Sequence, residues 1–181
     1  KMGNLRTAES NYRVIVEDST HPFRDDAVRR LLEIYVDLDD DDSFYRVYET
    51  EIVSGKVRPS ELITYSVGKA FFKKGNDVEA KSNLGDINPE SAYYRKARYI
   101  LGAIMVKEGN LKTAAQFYRE IVELSVETLD DRKVLDLSLL ALGRIYMELG
   151  MYEEASSFYG RISSDSVFLA DKLYEEVWTF I

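Results

Sequence analysis

The sequence has 181 residues, with 24 Lys and Arg against 32 Asp and Glu, and a formal net charge of −8 at pH 7. So acidic a chain repels phosphate backbones, and we expect no nucleic-acid partner. No apolar run reaches the roughly 20 residues of a membrane-spanning helix. The absence of Cys excludes a disulfide framework and a thiolate metal site. With 45% hydrophobic residues but only 3 Pro and 10 Gly, the composition favours a folded helical protein.

The first stretch of the chain is a copy of a later one. Residues 3–17 and 109–123 are identical at ten of fifteen positions, at a shift of 106 residues. The later copy follows a predicted helix and has the form of a turn and a second helix. The chain is therefore predicted to open at the turn and second helix of a repeat whose first helix is absent.

A more divergent helix pair is predicted over residues 25–54, after a loop at 19–22 in which Pro22 either ends the loop or starts the next helix. The segment 25–38 carries apolar residues at helical spacing, and 43–54 carries a second such set. Phe44 occupies the place where a small residue is expected at the crossing of the two helices. The acidic run between the segments is predicted to be the turn.

Three clearer helix pairs are predicted over residues 60–87, 94–121 and 136–162, and a further first helix over 166–181. The step from Gly68 to Gly102 is 34 residues, but the step from Gly102 to Gly143 is 41. We place the extra residues around 124–137, either as a longer second helix or as an earlier start of the next helix. In the second case, Asp130 or Asp131 is the expected N-cap. Small residues are expected where the helices cross: Gly68, Ala80, Gly102, Ala114, Gly143 and Ala155.

The segment 136–162 resembles the tetratricopeptide repeat, with Leu-Gly at 142–143, Tyr146, a turn at Gly150, and then Ala155 and Tyr159. The resemblance implies an all-α fold, a helix–turn–helix solenoid that forms one right-handed superhelical array over residues 1–181. The lengthened repeats and the closing segment 164–174 are also similar to bacterial cell-envelope members of this family, such as outer-membrane assembly lipoproteins and the periplasmic Tol-Pal factor. That similarity implies a periplasmic or envelope-associated location.

The resemblance also implies a binding surface, because in this family the first helices line a concave face. The corresponding positions here are basic and aromatic in the middle, which suits an acidic partner segment with an apolar anchor. An ordinary solvated helix face with long Lys side chains is the alternative. The implied residues are Arg29, Glu33, Tyr65, Lys69, Phe72, Lys73, Lys96, Tyr99, Lys107, Leu140, Arg144 and Met147.

Chaperone-binding members of the family hold a C-terminal carboxylate with a clamp of Lys, Asn and Arg. The corresponding places in this chain hold Arg29 and Glu33, then Ser66, then Lys96 and Ile100. Both Asn residues are missing and Ile100 replaces the Arg. We therefore do not expect binding of chaperone tails.

No arrangement of residues in the sequence predicts catalysis, a cofactor or a metal. The single His21 lies in a predicted loop. Asp37, Asp39 and Asp41 have the spacing of a calcium loop, but Asp42 stands where that loop needs Gly. A solvated turn whose last acids favour the next helix N-terminus is the preferred interpretation.

We therefore expect a non-catalytic scaffold or adaptor, part of a larger bacterial protein or complex, that binds a protein or peptide on its concave face. One rival is a structural segment that associates with other copies through its open ends. Those ends are the apolar set Leu173, Val177 and Ile181 and the outer side of residues 5–16. The other rival is a regulatory module of an enzyme whose catalytic part lies outside this chain.

Overall fold

The computed structural model describes residues 2–180, and every regular element within that range is a helix. This confirms the predicted all-α fold. The helices are α1 (Met2–Glu17), α2 (Arg24–Asp37), α3 (Asp41–Val47), α4 (Glu61–Lys73), α5 (Asp77–Gly85), α6 (Tyr94–Lys107), α7 (Leu111–Glu123), α8 (Leu129–Glu148), α9 (Tyr152–Gly160) and α10 (Leu169–Glu176). A π-helix, Tyr48–Val53, continues α3, and a 3₁₀ turn, Val177–Phe180, continues α10.

The internal contacts divide the chain into two units, one up to Tyr93 and one from Tyr94 onwards. In the first unit, α2 packs on α1, α3 and α4, and α4 packs on α5. In the second unit, the pairs α6–α7 and α8–α9 form, and α8 also packs on both α6 and α7. The single array over residues 1–181 stays a prediction.

Glycine closes the turn of three helix pairs. In each turn, the glycine N–H bonds to the carbonyl three residues back, and the next N–H bonds to the carbonyl five residues back. This left-handed ending satisfies carbonyls that the helix leaves open, and glycine adopts it without steric cost. The turn after α2 makes the same two bonds with Asp39 in the left-handed position, at a φ of 56°. The glycines of the other three turns are Gly75, Gly109 and Gly150.

Small residues lie at the helix crossings, as the spacing predicts. A Cβ added to Gly102 would lie 2.7 Å from ring atoms of Tyr118, and one added to Gly143 would lie 2.4 Å from those of Tyr159. Ala155 of α9 is fully buried. Because there is no room for a larger side chain at these positions, the two helices of each pair approach closely.

The divergent pair in the first unit fills its crossing differently. Phe44 is fully buried and packs edge-on against Phe71 of α4, with ring centroids 5.6 Å apart. Tyr48 meets the same Phe71 ring edge-on at 5.0 Å. A cluster of aromatic rings therefore replaces the contact between a small residue and a large one.

The π-helix after α3 was not predicted; the sequence suggests one continuous helix over 43–54. Its Glu51 is buried and forms an ion pair with Arg24 of α2. The Arg24 Nε also donates to the carbonyl of Val16 in α1, at 3.2 Å. This π-turn thus lies at a buried polar link between the first two helices and the end of the third.

The 41-residue step from Gly102 to Gly143 has two causes: a longer second helix, α7, and an earlier start of the next first helix, α8. Helix α7 has 13 residues where α5 has 9, and α8 has 20 where α6 has 14. The predicted N-cap is wrong, because Thr128 caps α8 and Asp131 lies in the first turn. The Thr128 hydroxyl oxygen accepts from the Asp131 N–H at 3.1 Å, and the Asp131 carboxylate accepts from the Thr128 N–H at 2.9 Å. This reciprocal pair satisfies two open donors, which a lone Asp cap does not.

The first helix differs from the prediction in where it begins. Helix α1 begins at Met2, so Gly3 lies inside the helix rather than in a turn. Leu173 and Val177 are 50% and 55% exposed, so one side of the last helix is apolar and uncovered; Ile181 lies outside the described residues. Association between copies through such surfaces stays a prediction. Within residues 2–180, no helix has the length and apolar character needed to span a bilayer.

Candidate functional site

The predicted site residues of the first unit lie on α2 and α4, the first helices of two consecutive pairs. Arg29 is buried, and its guanidinium bonds to the carboxylates of Asp26 and Glu33 at 2.5 and 2.9 Å. Glu33 also accepts from Arg30 at 3.0 Å. Arg29 and Glu33 therefore neutralise each other within α2 and offer little charge to a partner.

A groove of about 260 Å³ lies between α2 and α4. Its charged lining comprises Arg30, Glu33, Asp37, Lys69 and Lys73, and Ser66 lies beside Lys69 one turn earlier on α4. Three of the predicted residues therefore come together in this groove, whereas Arg29, Tyr65 and Phe72 are outside its lining.

Tyr65 lies elsewhere on α4 and is half-buried. Its ring stacks on that of Tyr93, with centroids 5.3 Å apart and planes inclined by 20°. Burial raises the pKa of Tyr65 to about 12. Phe72, one position before Lys73, is also half-buried. These two rings keep part of their surface accessible, as an apolar anchor site requires.

The predicted site residues of the second unit lie on α6 and α8. Lys96 bonds to Asp130 with its Nζ 3.3 Å from a carboxylate oxygen. The Tyr99 ring packs against Tyr118 with centroids 5.6 Å apart, and burial raises the pKa of Tyr99. Lys107 is exposed at the end of α6.

Helix α8 supplies Arg144, whose guanidinium bonds to both carboxylate oxygens of Glu175 in α10 at 2.5–3.1 Å. These hydrogen bonds raise the pKa of Arg144. Met147 is half-buried. The implied position at Leu140 is wrong, because this residue is only 2% exposed and belongs to the core.

Sequence reasoning missed the carboxylates that neutralise the predicted cations. Lys73 pairs with Asp37 at 3.0 Å, and the two residues lie 36 positions apart. Lys96 pairs with Asp130 over 34 positions, and Arg144 with Glu175 over 31. Each pair joins the first helices of two consecutive repeats. An Asp or Glu about one repeat length away from a Lys or Arg in the sequence would therefore have predicted these ion pairs. In each unit, the first helices consequently offer less unpaired positive charge than the sequence suggests.

The acidic run after α2 forms a capped turn. The Asp40 carboxylate accepts from the Ser43 N–H at 3.1 Å, and this bond lowers the pKa of Asp40. Asp37 pairs with Lys73, and Asp41 with Lys74. Throughout residues 2–180, no three His, Cys, Asp or Glu side chains are arranged to hold a metal ion. The only His in the sequence, His21, lies in the loop before α2, where its Nδ1 accepts from the Phe23 N–H.

Burial of tyrosines predicts a loss of stability at alkaline pH. The pKa of Tyr65 is raised from about 10 to about 12, and burial also raises those of Tyr118 and Tyr159. The unfolded chain loses these protons first, so the free energy of unfolding should fall as the pH rises from about 10 to about 12. Urea unfolding at several alkaline pH values measures this fall.

Tyrosinate absorbance provides the control for that prediction. Because burial raises the pKa of Tyr65, Tyr118 and Tyr159, part of the tyrosinate absorbance should appear only well above pH 10. If all 13 tyrosines ionise together near their ordinary pKa while the chain stays folded, the burial explanation is wrong.

The geometry defines a helical-repeat protein. The two helices of a pair are joined by a left-handed turn, and small residues let them approach closely where they cross. Residues 138–162 match the family model of the tetratricopeptide repeat. This segment covers the later part of α8 and all of α9, including the crossing of Gly143 with Tyr159. A comparison with curated proteins finds no match. The chain thus contains a tetratricopeptide repeat, a type of repeat that in general mediates protein–protein interaction and is typically non-catalytic.

Proposed function

We propose that this chain is a non-catalytic protein-interaction module that binds a protein or peptide segment on the accessible sides of its first helices. The observation that carries the proposal is the groove between α2 and α4, which combines lysine side chains with the apolar walls of Val36 and Ala70. A groove of this kind suits an extended or helical segment that carries acidic and apolar side chains.

The second unit supports the same proposal with a different lining. Tyr99 is half-buried on α6, and Met147 is half-buried on α8. Aromatic and Met side chains of this kind contribute most of the affinity at protein interfaces, whereas charged residues at the rim mainly set the association rate.

The test is selection of short peptides from a random display library on the full 181-residue chain. We expect the enriched peptides to combine acidic with aromatic or aliphatic residues. Tyr99→Ala should weaken their binding by about 1 kcal/mol or more, as truncation of an anchor does. Lys69→Glu with Lys73→Glu should slow association, and salt should reduce the difference from wild type.

Gln116→Ala, at an exposed position on the second helix α7, is the control and should bind like wild type. If no peptide is enriched, the proposed function is wrong. If the first-helix variants bind normally while Gln116→Ala does not bind, the accessible sides of the first helices are the wrong surface.

A further inference from the structure

The lysines of the groove between α2 and α4 differ in whether they have a partner inside the protein. Lys73 donates to Asp37 at 3.0 Å, with 46% and 50% of the two side chains exposed. Lys69 lies one turn earlier on the same helix, is half-buried and lines the same groove. Within residues 2–180, no carboxylate lies within ion-pair distance of Lys69.

Apart from Lys69, the charged side chains of the groove all have a partner inside the protein. Glu33 accepts from both Arg29 and Arg30, at 2.9 and 3.0 Å. The lining therefore holds three cations and two anions, and Lys69 provides the cation that no internal acid balances. Beside it, Ser66 is 8% exposed, and its hydroxyl makes no hydrogen bond with the part of the chain that the structure describes.

We infer that Lys69 is the residue of this groove that binds a carboxylate side chain of the partner, and that Asp37 is an internal competitor that occupies Lys73. The inference rests on the proposed function and names the chemistry of the groove in the first unit. An ammonium group and a neighbouring hydroxyl both donate hydrogen bonds, and a carboxylate accepts from both.

The role of Asp37 follows from the exposure of its ion pair. Pairs between half-exposed side chains contribute little, so a partner carboxylate can displace Asp37 from Lys73 at small cost. Until it does, the Asp37 charge repels the incoming acid and keeps the Lys73 donors occupied. In this groove Lys69 is available to a partner, whereas Lys73 becomes available only when its ion pair with Asp37 breaks.

The test uses the tightest-binding peptide from the display selection, together with a version in which each Asp and Glu is replaced by Asn or Gln. The full chain should bind the acidic peptide more tightly than its amide version. Lys69→Met retains the apolar stem and removes the charge, and should weaken binding of the acidic peptide about tenfold. Lys69→Arg should restore most of that loss, since it returns a cationic donor.

Asp37 is tested by a double-mutant cycle. Asp37→Asn should tighten binding of the acidic peptide about two- to fivefold, the range expected for release of an exposed ion pair. In the Asp37→Asn chain, Lys73→Met should weaken binding of the acidic peptide again, because it removes the ammonium group that Asp37→Asn releases. Lys133→Met removes an equal charge from an exposed position on α8 and should bind like wild type.

The outcomes separate this inference from the proposed function. Peptides that bind the accessible sides of the first helices but lack acidic residues would overturn the inference and leave the proposed function standing. The same holds if Lys69→Met binds as well as wild type, or if Asp37→Asn fails to tighten binding. Failure to select any peptide would overturn both.

Discussion

Replacing Gly143 with alanine is expected to lower the free energy of unfolding by up to about 2 kcal/mol. The added Cβ would lie 2.4 Å from two ring atoms of Tyr159, so either the ring or a helix must move. The ring is 1% exposed, and its hydroxyl donates to Glu175 at 3.1 Å, which restrains it. Overpacking of this kind costs about 1–3 kcal/mol, and the better helix propensity of alanine offsets only about 1 kcal/mol.

Gly160 provides the matched control, because it lies at the end of α9. No heavy atom lies within 4 Å of a Cβ added there, and its φ is not in the left-handed region. Gly160→Ala should therefore be as stable as wild type or slightly more stable. Urea unfolding followed by circular dichroism compares the two variants. Equal stability of Gly143→Ala and wild type would show that the crossing is looser than the structure indicates.

The second large effect is expected at Glu51, whose replacement by alanine should cost about 2–4 kcal/mol. Its carboxylate pairs with Arg24, and each side chain is only 11% exposed. Removal of one member leaves the other as a charge with little access to water, which costs about 3–5 kcal/mol when the pair is fully buried. The remaining exposure reduces that figure, and Lys56 at 3.7 Å loses only a weak contact.

Glu49 lies in the same π-helix but is exposed, so Glu49→Ala should change stability by no more than about 0.5 kcal/mol. Replacement of both Arg24 and Glu51 by apolar residues should recover part of the loss, since no charge is then left without a partner. Thermal and urea unfolding measure both effects. If Glu51→Ala costs no more than Glu49→Ala, the buried pair contributes nothing to stability.

The helix pairs could be predicted from the sequence because residues close together in the chain determine each pair. The 34-residue step and the small residues fix which helices cross, and Gly143 and Ala155 lie where the spacing places them. The prediction missed the capping box of α8, although Thr128 and Asp131 have the spacing that signals one. The π-turn at Glu51 was not readable, because it lies at a buried contact with Arg24, 27 positions away.

The site was predictable to a smaller extent. The resemblance placed Lys69 and Lys73 on one helix face, and both line the same groove. It could not show that Asp37 neutralises Lys73, because that depends on how α2 and α4 pack. The prediction at Leu140 failed for a related reason. Which positions of a first helix are covered depends on the lengths and angles of its neighbours, and α8 is longer than the other first helices.

The turn after α2 has the same hydrogen bonds as the glycine turns but is built from different residues. Asp39 adopts the left-handed backbone that glycine holds in the other turns, and short polar residues such as Asp visit that conformation as single residues. The pair around it has also replaced its small crossing residue with Phe44, yet its two closing hydrogen bonds are unchanged. The left-handed turn of this pair therefore needs neither a glycine nor a small residue at the helix crossing. The helix pairs of this chain are more alike in the hydrogen bonds of their turns than in the residues that make them.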